Sequence, residues 1–97
     1  MPEIERLKAR LRAANKAAQE RLRQSGYRIM PFDYSAGPSF LATRAREQRF
    51  VKVVTGNLSD EELRLLQALC EDVVQPTSIE VWHREGGRGE FEIRRVL

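Results

Sequence analysis

Apolar residues recur at Ile4, Leu7, Leu11, Ala14, Ala18 and Leu22, three or four apart. That spacing predicts one long amphipathic helix at the start of the chain. Pro2 fits a first helical turn, and Glu3 and Glu5 suit its positive end. Gly26 supplies the stop, because glycine enters the left-handed region without steric cost. The period then changes from helical to two. Tyr27-Arg28-Ile29-Met30 alternates and ends at Pro31, while Asp33, Ser35, Gly37 and Pro38 mark a loop. Phe40-Leu41-Ala42-Thr43 resumes an extended run, and a charged turn follows from Arg44 to Arg49. Phe50-Val51-Lys52-Val53-Val54 is β-branched and apolar on both faces apart from Lys52, which predicts a central strand covered on both sides.

The second helix has the clearest local signals. Ser59 and Glu62 have capping-box spacing, and Leu58 and Leu63 stand where a hydrophobic staple would. Leu63, Leu66, Cys70 and Val73 make its core-facing stripe, and Pro76 closes it. Ile79-Glu80-Val81-Trp82-His83 alternates as a strand. Gly86, Gly87 and Gly89 give a turn, and Phe91-Glu92-Ile93-Arg94 returns as the hairpin partner. Strands are thus expected near 27–31, 39–43, 49–54, 78–83 and 90–96, with the second helix over 59–71. The order predicts a single α/β domain spanning 1–97, a mixed sheet flanked by helices.

Composition narrows the chemistry. The chain has 97 residues, 41% hydrophobic and 32% charged, enough for one packed core. No apolar run approaches the ~20 residues of a membrane helix, and the N-terminus lacks a greasy segment. The expectation is no membrane association and a cytoplasmic location. One cysteine makes no internal disulfide. Cys70 and His83 are the only soft ligands, so no metal or cofactor is expected; Cys70 reads as packing and His83 as a strand residue. Phosphate-loop, dinucleotide and nucleophile-elbow motifs are all missing. Charge is polarised: residues 1–30 carry eight Lys and Arg against three Glu, and residues 58–80 carry six acids against one Arg. Lys8, Arg12, Lys16, Gln19 and Arg23 gather on one flank of the first helix. This ridge reads either as a solvated face or as a surface facing phosphates.

The sequence of a helix, a Gly-aromatic strand, a Gly-Pro loop, Pro38-Ser39-Phe40-Leu41-Ala42 and then Phe50-Val51-Lys52-Val53-Val54-Thr55-Gly56 resembles the PD-(D/E)XK nuclease superfamily. The Leu58-Ser59-Asp60-Glu61-Glu62 helix entry and the Val81-Trp82 strand add to the likeness. The style is that of Holliday-junction resolvases and small VRR-type nucleases. The resemblance implies a restriction-endonuclease-like minimal core, αβββαβ with an added strand, from about Glu5 to Val96.

It also implies a broken motif. That family places Asp at the start of its second strand and Glu-x-Lys on its third; the aligned positions here are Ser39, Lys52 and Val54. Two carboxylates hold Mg²⁺ in such a site, and the metal activates water. A serine, a lysine and a valine do neither. Asp33, Glu47 and Glu20 are acids that could relocate toward the site. Lys52 itself has two readings, a strand lysine snorkelling to solvent or a cation holding phosphate where a metal would sit. The leading expectation is an inactive nuclease-like module that binds nucleic acid, DNA favoured, through Lys8, Arg12, Lys16, Arg23, Arg44, Arg46 and Lys52. The alternatives are a protein-interaction or structural subunit and a metal-dependent nuclease with relocated acids; a homodimer is expected from the small domain size and the resolvase resemblance.

Overall fold

Among the described residues, seven elements follow one another: α1 (Pro2–Gln24), β1 (Arg28–Pro31), β2 (Phe40–Arg44), β3 (Glu47–Val54), α2 (Asp60–Asp72), β4 (Thr77–His83) and β5 (Glu92–Arg95). They belong to a computed structural model that describes residues 2–32, 37–72, 77–84 and 89–96. The expectations placed on Asp33, Ser35, Val73, Pro76, Gly86 and Gly87 lie outside the described residues.

Alternation along β3 decides where the helices go. The five strands form one sheet in the order β1-β2-β3-β4-β5, so β3 is central, as its doubly apolar pattern requires. β1, β2 and β3 pair antiparallel, β3 and β4 pair parallel across the α2 connection, and β5 returns antiparallel to β4. Val51 and Val53 face α1, packing with Ala14, Ala18, Leu22, Phe40 and Trp82. Phe50 and Val54 face the other way, with Leu66, Leu69 and Cys70 of α2, Ile79 and Val81. The molecule is an α/β domain with one helix on each face of a mixed sheet. Each large buried side chain of these two clusters contributes about 1.5–3 kcal/mol.

Two departures from the periodicity have physical causes. Only the second half of the α1 stripe is covered. Ala14 and Ala18 are fully buried, whereas Ile4, Leu7 and Leu11 are 51%, 53% and 43% exposed. A helix of 23 residues is about 34 Å long at 1.5 Å per residue, so it overhangs the sheet. The charged turn is also shorter than its composition suggests. β2 and β3 run through to Arg44 and Glu47, leaving Ala45 and Arg46 as the connection, with Ala45 at a φ of 53°. Among the described residues no helix is long and apolar enough to cross a membrane.

Gly26 closes α1 by a Schellman arrangement. The Tyr27 N–H donates to the Leu22 carbonyl at 3.0 Å and the Gly26 N–H to that of Arg23 at 2.9 Å, with Gly26 at a φ of 91°. A Cβ at Gly26 would meet Arg44 Cδ at an ordinary 3.6 Å, so only the backbone objects. Gly26→Ala is therefore expected to cost about 1–2 kcal/mol, read as a lower urea midpoint at unchanged slope.

Candidate functional site

The three positions singled out by the nuclease motif are occupied by pairing and packing. Ser39 stands just ahead of β2. Its N–H donates to the Val51 carbonyl at 2.7 Å, and its hydroxyl accepts the Val53 N–H at 3.0 Å. The hydroxyl thus satisfies a backbone donor at the point where the β2–β3 ladder ends. Val54 lies in the apolar cluster with Leu66, Ile79 and Val81.

Lys52 does not snorkel to solvent. It is 6% exposed, and its Nζ lies 2.8 Å from Oε2 of Glu62. Glu62 is the acid of the capping box, so one carboxylate serves two elements. Oε1 accepts from the Ser59 hydroxyl at 3.0 Å and the Ser59 N–H at 3.4 Å, while the Glu62 N–H donates to Ser59 Oγ at 3.1 Å. Burial alone would raise the Glu62 carboxyl. The hydrogen bond from Lys52, those from Ser59 and the ammonium charge outweigh burial and hold it below the usual glutamate range. β3 and the start of α2 are joined by this pair.

The expected basic surface divides accordingly. Lys8, Arg12, Lys16 and Arg23 are exposed on one flank of α1. Arg23 bonds to Gln19 at 3.3 Å and pairs with Glu20 at 3.8 Å. It borders the β1 edge, where Arg23 and Arg28 line one shallow cavity with Met30 and Leu41. Arg46 is exposed at the β2–β3 turn. Arg44 bends back to the end of α1, donating to the Ser25 carbonyl at 2.8 Å. Lys52 sits on the opposite face of the sheet, toward α2, and leaves this surface.

A second polar group lies on the α1 face. The Tyr27 hydroxyl donates to Glu47, whose Oε2 also faces Arg44 at 3.5 Å and Arg49 at 4.0 Å. Glu80, 6% exposed, accepts from Trp82 Nε1 at 2.9 Å and Ser78 Oγ at 3.0 Å, and faces Arg49 at 3.7 Å. The bond from Tyr27 is the main cause that holds the Glu47 carboxyl low, with Arg44 and Arg49 adding to it against desolvation. Burial, followed by the bond to Glu47, raises the Tyr27 phenol. Periodicity marks none of Arg21, Tyr27, Arg49 or Trp82 as site residues. The one sequence signal is Glu80, an acid between the apolar Ile79 and Val81 of β4.

The relocated-acid reading gathers no support from these positions. Glu47 is committed to Tyr27 and two arginines, Glu20 to Arg23, and Asp33 lies outside the described residues. Among the described residues no three His, Cys, Asp or Glu side chains gather as a metal-binding group. A cavity of about 510 Å³ opens at the carboxyl ends of parallel β3 and β4, with Asn57, His83, Glu92 and Arg94 around an apolar floor of Val54, Leu58 and Val81. Compared with known proteins, the sequence matches no family model and no curated protein.

Proposed function

We propose that this chain is a nuclease-like module of the PD-(D/E)XK type that binds nucleic acid, DNA by preference, along the basic flank of α1, and does not cleave it. One observation carries the non-cleaving part: an ion-paired lysine, Lys52 on Glu62 at 2.8 Å, fills the position where the motif needs a metal-binding carboxylate. The helix-and-strand order and the five-stranded mixed sheet are compatible with this reading. For binding, the supporting feature is the exposed row Lys8, Arg12, Lys16 and Arg23, extended by Arg28 on β1. Contacts to phosphate release counterions and carry no sequence information.

The test is anisotropy with labelled duplex and single-stranded DNA and with RNA, across a salt series, with parallel incubation in Mg²⁺ or Mn²⁺. Binding should weaken linearly in log salt, with no metal-dependent cleavage. Arg12→Glu with Lys16→Glu should weaken every sequence about tenfold at low salt and flatten the slope by about 1.8, two phosphate contacts at ~0.9 each. Affinity that ignores this reversal would move the interface elsewhere. A second reading, a protein-interaction subunit, is favoured by the exposed Ile4, Leu7 and Leu11 stripe. Salt-independent self-association, lost on Leu7→Gln, would select it.

A further inference from the structure

Below the last turns of α1, between the helix and the β4–β5 side of the sheet, a cavity of about 190 Å³ is lined by Arg21, Ser25, Tyr27, Arg44, Arg49 and Trp82 among others. Three arginines line one small cavity and their charges repel, while among the described residues two carboxylates, Glu47 and Glu80, pair with them. One positive charge is left over. Arg21 carries it: its guanidinium lies over the Trp82 ring at 5.2 Å and meets no carboxylate among the described residues.

The other two arginines are oriented without being used up. Arg44 and Arg49 lie over the Tyr27 ring at 4.4 and 5.0 Å. Their contacts with Glu47 and Glu80, at 3.5–4.0 Å, are longer than good N–H···O bonds and leave donors to spare. Tyr27 and Trp82 are nearly fully buried, so the surfaces that hold the three forks are firm. A carboxylate is satisfied by one bidentate fork, whereas a tetrahedral phosphate presents enough oxygens for several.

We propose that this cavity is a phosphate-binding site, with Arg21, Arg44 and Arg49 as its ligands and Glu47 and Glu80 as the groups that position them. The site lies apart from the Lys8–Arg23 flank. It rests on the nucleic-acid reading only for the source of the phosphate, a strand terminus or a backbone diester.

Inorganic phosphate, titrated while the arginine Nε–Hε resonances are followed by NMR, tests the site directly. Saturable shifts are expected for Arg21, Arg44 and Arg49. Arg21→Gln should weaken the titration at least tenfold, and Arg21→Lys should be intermediate, keeping charge but losing the fork. Arg21 is exposed on a helix, and matched melting curves will show that both variants fold. Charge reversal at Arg12 and Lys16 should leave the phosphate titration unchanged. The source follows from oligonucleotides of one sequence with a 5′-phosphate or a 5′-hydroxyl. A preference for the phosphorylated end that Arg21→Gln removes assigns a terminus; equal weakening of both assigns the backbone. Saturable phosphate binding with no oligonucleotide bound keeps the site and removes the nucleic-acid reading. Absent shifts, or shifts unchanged by Arg21→Gln, overturn the site even where oligonucleotides still bind through the α1 flank.

Discussion

Glu62→Gln should lower the unfolding free energy by about 3 kcal/mol, while Lys52→Met should cost less than about 1 kcal/mol. The asymmetry follows from burial. Lys52 has 8% of its side chain exposed and Glu62 27%, so removing the acid strands a charge in the interior, whereas removing the lysine leaves a carboxylate near water. That carboxylate keeps its bonds from Ser59. A methionine fills the volume of the lysine stem with no charge to desolvate. The double variant should therefore resemble Lys52→Met alone, with a coupling of about 3 kcal/mol in the cycle. The pH dependence has a fixed sign. The folded-state carboxyl of Glu62 is depressed, so its contribution is present above the ordinary value of about 4.3 and is lost as pH falls through the lower folded one. Wild type and Glu62→Gln should converge below that window in urea unfolding. Lys52→Met should also bind oligonucleotides as the wild type does, since Lys52 lies on the α2 face. A loss of DNA affinity in that variant would return Lys52 to the interface.

The elements were legible because each carried its own local signal. The β-branched run 50–54 forecast the central strand, the Ser59–Glu62 spacing forecast the α2 start, and Gly26 forecast the end of α1. What periodicity could not show was how far each helix reaches relative to the sheet. The apolar stripe of α1 is continuous from Ile4 to Leu22, yet coverage depends on sheet width, and the first three positions stay exposed. The turn between β2 and β3 was expected over Arg44–Arg49, but its tight bounds were hidden for a similar reason. Ala45 adopts a left-handed conformation without the glycine that would announce it, and Arg44 and Glu47 look like loop residues until Tyr27 is placed beside them.

Helical spacing marked the basic flank of α1, and the nuclease likeness marked three further positions without revealing their partners. Lys52 and Glu62 are ten residues apart, and nothing in the spacing says that the capping acid turns its second oxygen toward β3. Likewise Arg21, Arg44 and Arg49 come from three elements and meet only because β2 and β3 pair beneath the end of α1. A count of arginines marks a basic chain; it takes the topology to show that the charge splits between a helix flank and a cavity.

Val54→Lys, which would place a lysine where the proposed nuclease likeness calls for one, should leave the chain largely unfolded at neutral pH. Val54 is packed against Leu66, Ile79 and Val81. A lysine forced into such a site titrates near ~5–6 rather than ~10.4, so holding it neutral at pH 7 costs about 4–5 kcal/mol. Small domains have only about 5–15 kcal/mol to lose, and a chain of this length stands toward the lower end. The sign of the pH effect is the same as for Glu62, stability rising with pH, but the window is higher. The introduced amine has a folded-state pKa below its unfolded one, so the penalty is complete below the folded value and disappears above the unfolded one. Stability should rise by about 1.4 kcal/mol per pH unit between roughly pH 6 and 10. Urea unfolding at pH 7 and 9.5 reads this directly. The upper limit matters because the raised Tyr27 phenol contributes stability below about 10 that is lost as pH climbs through its folded value. A Val54→Lys chain that folds normally at pH 7 would mean this position opens to solvent, as an active site of the PD-(D/E)XK type requires. An unfolded one, rescued by alkali, would mean that position 54 belongs to the core and cannot carry a charged side chain.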